Sequence, residues 1–155
     1  MVVWPGMNAA LVEALLPKAR DRLVTVAEGT SLIEVAKLLQ AGSDLVIVCD
    51  YTGHLIGVIT KTDIVAQISQ CHGTVCTTAA ALVTTRDVVI CEPKNLLRDV
   101  WQRMKARDLK HVPVVDPESR PLGLLHARDI LQLLLGDSEY EDAMLRDYVM
   151  GVGYR

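Results

Sequence analysis

The chain has 155 residues and a mass of 17.0 kDa; 50% of its residues are hydrophobic and its mean hydropathy is +0.26. These values exclude a disordered chain and fit one compact domain, or two small ones that share a core. The formal net charge of −3 and the pI near 5.8 argue against a large basic surface for nucleic acid or anionic lipid.

Residues 1–16 precede the first repeated pattern and are interpreted as an N-terminal extension. Prolines, a glycine and an acidic residue interrupt the apolar residues of the first twenty positions, and no basic leader is present. We therefore expect neither a signal peptide nor a membrane span.

The four cysteines favour a reduced, cytoplasmic protein. Cys49 and Cys91 lie in apolar, strand-like runs, where a free Cys behaves as a small hydrophobe. Cys71, His72 and Cys76 resemble a fragment of a zinc site, but no second pair at zinc-type spacing completes it. We therefore expect no metal.

Residues 17–70 follow the order strand, helix, strand, strand, helix. A short apolar segment at 23–26 is followed by an amphipathic helix at 31–40, for which Ser31 and Glu34 predict a capping box. Two Val- and Ile-rich runs separated by turn residues predict a hairpin, and a second helix follows it.

The same order returns in residues 82–136, after a linker of small and polar residues at 71–81. The hairpins and the helices that follow them match at an offset of 66 positions, and the preceding helices match at an offset of 65. The fold class predicted is therefore α/β (α+β), with two pseudo-symmetric units packed through their sheets. Residues 137–155 form a C-terminal tail with a helical apolar face, which either packs back or contacts another protein.

One phrase occurs in both units, as GVITKTDI at 57–64 and as GLLHARDI at 123–130. Thr60 with Asp63 fits a helix cap as well as it fits a ligand-binding carboxylate. In the second copy His126 replaces the capping Thr while Asp129 remains. Because an imidazole is a poor cap, we interpret the second Asp as favouring a ligand role, although the helix dipole alone also favours an acid there.

The repeat, the two phrases and the strand–turn HVPVVD at 111–116 together resemble the cystathionine beta-synthase (CBS) domain pair, or Bateman module. The resemblance covers about residues 17–136. It implies clefts between the units for adenosine-containing ligands such as AMP, ADP or ATP, and possible alternatives are NAD(H) and S-adenosylmethionine.

The resemblance also implies roles for individual residues. The residues expected at the ribose are Thr60, Asp63 and Asp129. Those expected near phosphate are Lys110, His111, Arg128 and Lys61, and those expected near adenine are Val112, Pro113 and His126. The cations at Lys110 and Arg107 also fit a solvated helix end, and Lys61 and Arg128 have the same ambiguity. The first unit has Asp44 and Leu45 where the second has Lys110 and His111, so we expect one occupied cleft rather than two.

The function predicted is a regulatory module that senses cellular energy or redox state by binding an adenosyl ligand and relays this to an unknown effector protein. The alternative is a ligand-independent dimerisation or protein-interaction module. No nucleophile is placed with a base in any known motif, so we do not expect an enzyme. The family resemblance implies a homodimer; nucleic acid is not expected as a partner.

Overall fold

The computed structural model describes residues 10–70 and 79–135. Most of the predicted linker, the first nine residues and the C-terminal tail lie outside the described residues. The first unit has the predicted order of elements and the second lacks only the predicted first strand, so the fold class expected from the repeat is confirmed.

The first unit contains a three-stranded sheet and two long helices. A 3-10 turn and a short helix precede it, and the strand order of its sheet is β1-β2-β3. The elements are the 3-10 turn Val12–Leu15, α1 (Leu16–Asp21), β1 (Thr25–Ala27), α2 (Leu32–Gln40), β2 (Leu45–Cys49), β3 (Leu55–Thr60) and α3 (Lys61–Gln70).

The second unit repeats this arrangement with a two-stranded sheet. Its elements are a 3-10 turn Ala80–Leu82, α4 (Leu97–Ala106), β4 (His111–Val115), β5 (Pro121–His126) and α5 (Ala127–Leu135). The apolar segment before α4 does not form a strand of its own. It contributes one parallel bridge between Cys91 and Val114 instead.

The two hairpins have the same register. Leu45 pairs with Thr60 in the first hairpin, and His111 pairs with His126 in the second, at an offset of 66 for both residues. Each hairpin therefore ends at the residue before a helix, and the repeated Asp lies in the first turn of that helix. This register positions the candidate site residues at equivalent places in the two units.

Each unit completes its core with a segment that precedes the other unit. Val12, Leu15 and Ala19 pack with Leu97 and Met104 in the core of the second unit. These aliphatic side chains can be buried there because the short helix α1 lies against β5.

The segment after residue 78 makes the reciprocal contact. Ala80 is fully buried in the core of the first unit, beside Leu32 and Ile59, and Val83 packs against the same core. The N–H of Ala80 donates to the carbonyl of Thr30 at 2.7 Å. The units are therefore joined by exchanged segments as well as by their sheets.

The two sheets meet in a third apolar cluster. Leu45, Ile47 and Val58 from the first sheet contact Leu124 from the second, and Leu23 and Val88 pack at its border. All five residues of β2 are buried, as expected for a strand covered on both faces.

Gly57 and Gly123 are required by close contacts with the exchanged segments. The amide and carbonyl of Val58 bond to Thr85 at 3.0 and 2.9 Å, so a Cβ on Gly57 would overlap the side chain of Thr84 and the carbonyl of Thr85. A Cβ on Gly123 would lie 2.7 Å from the Cβ of Ala19. The repeated phrase therefore begins with Gly because a neighbouring chain segment crosses directly over it.

Two expectations about local structure have different outcomes. Cys49 and Cys91 are free and buried, which confirms their interpretation as core residues. The capping box expected at Ser31 is wrong, because Ser31 is the N-cap residue of α2 but its side chain makes no capping hydrogen bond.

We predict that Gly123→Ala lowers the free energy of unfolding by about 1–3 kcal/mol, the usual cost of overpacking a close contact. Gly57→Ala should have a cost of the same order, because its new methyl group would meet the backbone carbonyl of Thr85, which cannot move as readily as the end of a side chain. Urea unfolding measures both values. Ala106→Ser, at an exposed helix position, is the control and should change stability by less than about 0.5 kcal/mol. Unchanged stability of both glycine variants would contradict the contact.

Candidate functional site

The first cleft (cleft 1) is a cavity of about 220 Å³ that is lined by residues of both units. One part of its wall is apolar and is formed by Leu45, Val58, Val88, Val89, Leu109 and Pro113. The polar part is formed by Thr60, Asp63, Thr85, Asp87, Arg107 and His111. Cleft 1 therefore offers an apolar slot beside a carboxylate.

Asp63 and Thr60 form a reciprocal cap at the start of α3. Asp63 Oδ2 accepts from the Thr60 N–H at 2.9 Å and from Thr60 Oγ1 at 3.2 Å, and the Asp63 N–H lies 3.4 Å from Thr60 Oγ1. Both bonds from Thr60 reach Oδ2, so Oδ1 accepts none from the residues that the structure describes. Capping thus fixes the orientation of the carboxylate and leaves one oxygen available in the cleft.

A larger, basic pocket of about 430 Å³ adjoins cleft 1, because Thr60 and His111 line both. Its other lining residues are Asp44, Lys61, Thr62, Lys110, His126 and Arg128. Lys61, Lys110 and Arg128 form no ion pair with the described residues. Three cations without acidic partners next to a cleft favour an anionic ligand.

His111 and His126 face each other across the second hairpin, with ring centroids 4.7 Å apart and planes at 83°. Asp44 from the first unit places Oδ2 3.5 Å from His111 Nε2. Burial lowers the pKa of both imidazoles, that of His126 to about 4. The charges of Arg22 and other nearby cations lower both pKa values further, whereas Asp44 opposes the shift at His111. Both rings are therefore neutral at pH 7, and they can bind an anion only as hydrogen-bond donors.

The side chain of His126 caps α5, although the sequence led us to expect that an imidazole would be a poor cap. Its Nδ1 accepts from the N–H of Arg128 at 2.9 Å, which places the proton of the neutral ring on Nε2. The argument that Asp129 is kept without a cap is therefore wrong, because the cap is present and does not involve Asp129.

Asp129 is instead bound by Arg22, a residue that sequence reasoning did not single out. Arg22 Nε donates to Oδ2 at 2.9 Å and Nη2 donates to Oδ1 at 3.3 Å. Asp129 is 4% exposed and is the single buried charged residue in the described part of the chain. A second cavity of about 220 Å³ (cleft 2) lies beside this ion pair and is lined by Arg22, Asp44 and His111 among others.

The structure brings most of the predicted site residues together. Thr60, Asp63 and Pro113 line cleft 1, and Lys61, Lys110, His111, His126 and Arg128 line the basic pocket. Val112 lies in the core of the second unit with no exposed surface and pairs with Leu125 inside the hairpin, so it lines neither cleft 1 nor the basic pocket. The polar lining residues Thr85 and Asp87 were not predicted, because nothing in their local sequence shows that this segment crosses over β3.

A scan against protein families matches the CBS domain at two places, residues 12–70 and 80–136. The chain belongs to the CBS domain family. The predicted recognition is thereby confirmed, and the two matched stretches each include one of the exchanged segments. No helix in residues 10–70 or 79–135 of this CBS protein has the length and apolar character needed to span a bilayer.

Three known proteins illustrate the similarity of this CBS pair to others. A homoserine O-acetyltransferase of Methanococcoides burtonii is 28% identical over 116 residues, which are 74% of this chain and 22% of that protein, so the chain spans about a fifth of its length.

The other two are solved structures. The CBS domain pair of protein MJ0100, in complex with 5′-methylthioadenosine and S-adenosyl-L-methionine, has a TM-score of 0.67 and 27% identity over 83% of this chain and 98% of that one. The cytosolic domain of the Mg²⁺ channel MgtE, in complex with ATP, has a TM-score of 0.62 and 27% identity over 73% of this chain and 45% of that one. Both of these structures, which are similar to this chain, therefore contain adenosine-containing ligands.

We predict that stability falls as the pH is lowered from about 6.5 to about 4, in part because of His126. Its pKa is lowered from 6.5 to about 4 in the folded chain, so the unfolded chain takes up the proton at higher pH and stability rises with pH across this window. His126→Asn keeps an acceptor for the cap and removes the titration. Denaturant unfolding across this range should show a smaller loss of stability for the variant, and equal losses would contradict the shift.

Proposed function

We propose that this CBS pair is a regulatory module that binds an adenine nucleotide in cleft 1, with the phosphates in the basic pocket. The observation that carries the proposal is the continuity of three features: an apolar slot, a carboxylate with an available oxygen, and three cations that have no acidic partner among the residues that the structure describes. They follow one another in the order of base, ribose and phosphate in a nucleotide.

The apolar slot suits a purine ring. Val58 and Pro113 line it from the two units, and Val88 and Val89 contribute from the segment that crosses between them. Backbone groups at the border of this slot would supply the hydrogen bonds by which a planar base is recognised.

Asp63 suits the ribose. A carboxylate oxygen accepts strongly from a hydroxyl, and the cap by Thr60 holds it in one orientation before the ligand arrives. A 2′-deoxyribose would lose one of the two vicinal donors, so the proposal includes discrimination against deoxynucleotides.

The basic pocket suits two or three phosphates. Its volume of about 430 Å³ exceeds that of cleft 1, and Lys61, Lys110 and Arg128 reach it from both units. The same cations would repel the sulfonium of S-adenosylmethionine. We therefore favour ADP or ATP over AMP and over the adenosyl ligands bound by the MJ0100 pair, and we place NAD(H) after ADP and ATP.

Binding at this position can be relayed because the ligand would contact both units. Asp63 and Lys61 belong to the first unit, and Lys110 and His111 belong to the second. A ligand that holds them together stabilises one relative arrangement of the units, and an effector protein that recognises this arrangement is coupled to ligand concentration. No catalytic step is proposed.

A second candidate function is a ligand-independent dimerisation module. Val65 and Ile68 on α3 and Leu133 on α5 are large apolar side chains with 64%, 56% and 42% exposure. Such side chains suit a contact with a second copy. Sedimentation with and without ADP discriminates between the candidates: assembly that no nucleotide changes, together with no nucleotide binding, favours the second one.

We expect calorimetry with AMP, ADP, ATP, NADH and S-adenosylmethionine to show the tightest binding for ADP or ATP. Asp63→Asn should weaken the tightest ligand by about tenfold or more, because it removes a charged acceptor while an amide oxygen preserves the cap. Asp99→Asn, in the exposed first turn of α4, is the matched control and should leave affinity unchanged. Absence of binding for every ligand in the panel would overturn the proposal.

We expect Lys110→Ala to weaken ATP by about tenfold and adenosine by less than about twofold, since adenosine does not reach the basic pocket. Added salt should weaken ATP in the wild type more than in the variant. The matched control is Lys94→Ala, at an exposed position outside both cavities. If Lys110→Ala weakened the binding of ATP and of adenosine equally, Lys110 would not be a phosphate-binding residue.

A further inference from the structure

We propose that Arg22 occupies the second cleft in place of a ligand and thereby limits the chain to one bound nucleotide. This inference rests on the function proposed above and adds the residue that determines which cleft is used. It follows from a comparison of equivalent positions in the two units. Their hairpins have the same register, but the charged residues around them differ.

The repeated carboxylates have equivalent positions but different partners. Asp63 lies in the first turn of α3 and bonds to its own N-cap residue, Thr60. Asp129 lies in the first turn of α5 and makes no bond to His126; both of its oxygens accept from Arg22, a residue 107 positions away. The carboxylate of Asp63 therefore lines cleft 1 with an available oxygen, whereas that of Asp129 is bound by Arg22, which lines cleft 2 in its place.

Arg22 also excludes a ligand by burying the carboxylate. The side chain of Asp129 is 6% exposed, whereas that of Arg22 is 35% exposed. The guanidinium thus lies between the carboxylate and solvent. A ribose could reach Asp129 only by displacing a two-bond ion pair, and Arg22 would then lose its buried partner.

Cleft 1 has the opposite charge at the position equivalent to Arg22. At the offset of 65 this position is Asp87, which cannot pair with Asp63 and instead accepts from Arg107 Nη2 at 3.1 Å. The position equivalent to Arg107 is Gly42, so cleft 2 has no such cation at that place. The residue at this position should therefore determine which cleft is blocked: an arginine blocks the neighbouring cleft, and its removal opens that cleft.

The first test removes the Arg22 side chain that blocks cleft 2. Calorimetry with ATP should give one site per chain for the wild type and two for Arg22→Ala. Arg22→Ala with Asp129→Asn should return to one site, because the second cleft is then open but lacks its carboxylate. Arg20→Ala, an exposed cation on the same helix, should stay at one site.

The second test places an arginine beside Asp63 so that it blocks cleft 1. It does not depend on the stability of the Arg22→Ala variant. Asp87 has an 86% exposed side chain, so an arginine is accommodated there without disturbing the core. Asp87→Arg should weaken ATP by about tenfold or more through pairing with Asp63. Glu92→Arg makes the same change of charge at an exposed position outside the cavities, and it should keep ATP affinity within about threefold.

The outcomes separate this inference from the proposed function. Wild-type protein that binds no nucleotide overturns both. Wild-type protein that binds two nucleotides overturns this inference alone, and so does a folded Arg22→Ala variant that still binds one. Unchanged ATP affinity in Asp87→Arg also overturns it, whereas two sites in Arg22→Ala together with weak binding in Asp87→Arg supports it.

Discussion

The close crossing of a chain segment over each hairpin is the constraint on which the rest of the structure depends. It requires Gly57 and Gly123, because a side chain at either position would overlap Thr84 and Thr85 or Ala19. The crossing brings the residues before β1 to the second hairpin and the residues before Cys91 to the first. Part of the wall of each cleft, and the charged residue beside each repeated aspartate, is therefore supplied by a segment that precedes the other unit.

Charge, not backbone, distinguishes the two clefts. The hairpins have identical register, and the two aspartates follow them at the same distance. One crossing segment carries Arg22 and the other carries Asp87, which leaves one carboxylate paired internally and the other available. The internal pair also supplies hydrogen-bond partners for the single buried charged residue in the described part of the chain. The same arrangement of elements thus holds an internal ion pair in the second unit and the carboxylate that we propose as a ligand-binding group in the first.

The repeat made the fold and much of the site predictable from sequence. Apolar periodicity places β2, β3 and the following helix because the buried faces are built from contiguous residues, and the phrase with Asp63 identifies cleft 1. The ion pair between Arg22 and Asp129 was not predictable, because a pattern of apolar residues shows that α1 is amphipathic but not which sheet it covers. The cap by His126 was missed for a different reason: which nitrogen of an imidazole accepts a bond depends on ring orientation, which the sequence does not specify.

The exchange of short segments between the units bears on how this chain came to be duplicated. Val12, Leu15 and Ala19 fill the core of the second unit, and Ala80 fills that of the first. A solitary unit would lack this filling and would expose the apolar groove left behind, unless another copy supplied it. An ancestor with one unit would therefore have been obliged to associate in pairs, and gene fusion would have made that association permanent. Only after fusion could the two crossing segments diverge, since identical subunits must carry the same residue at Arg22 and at Asp87.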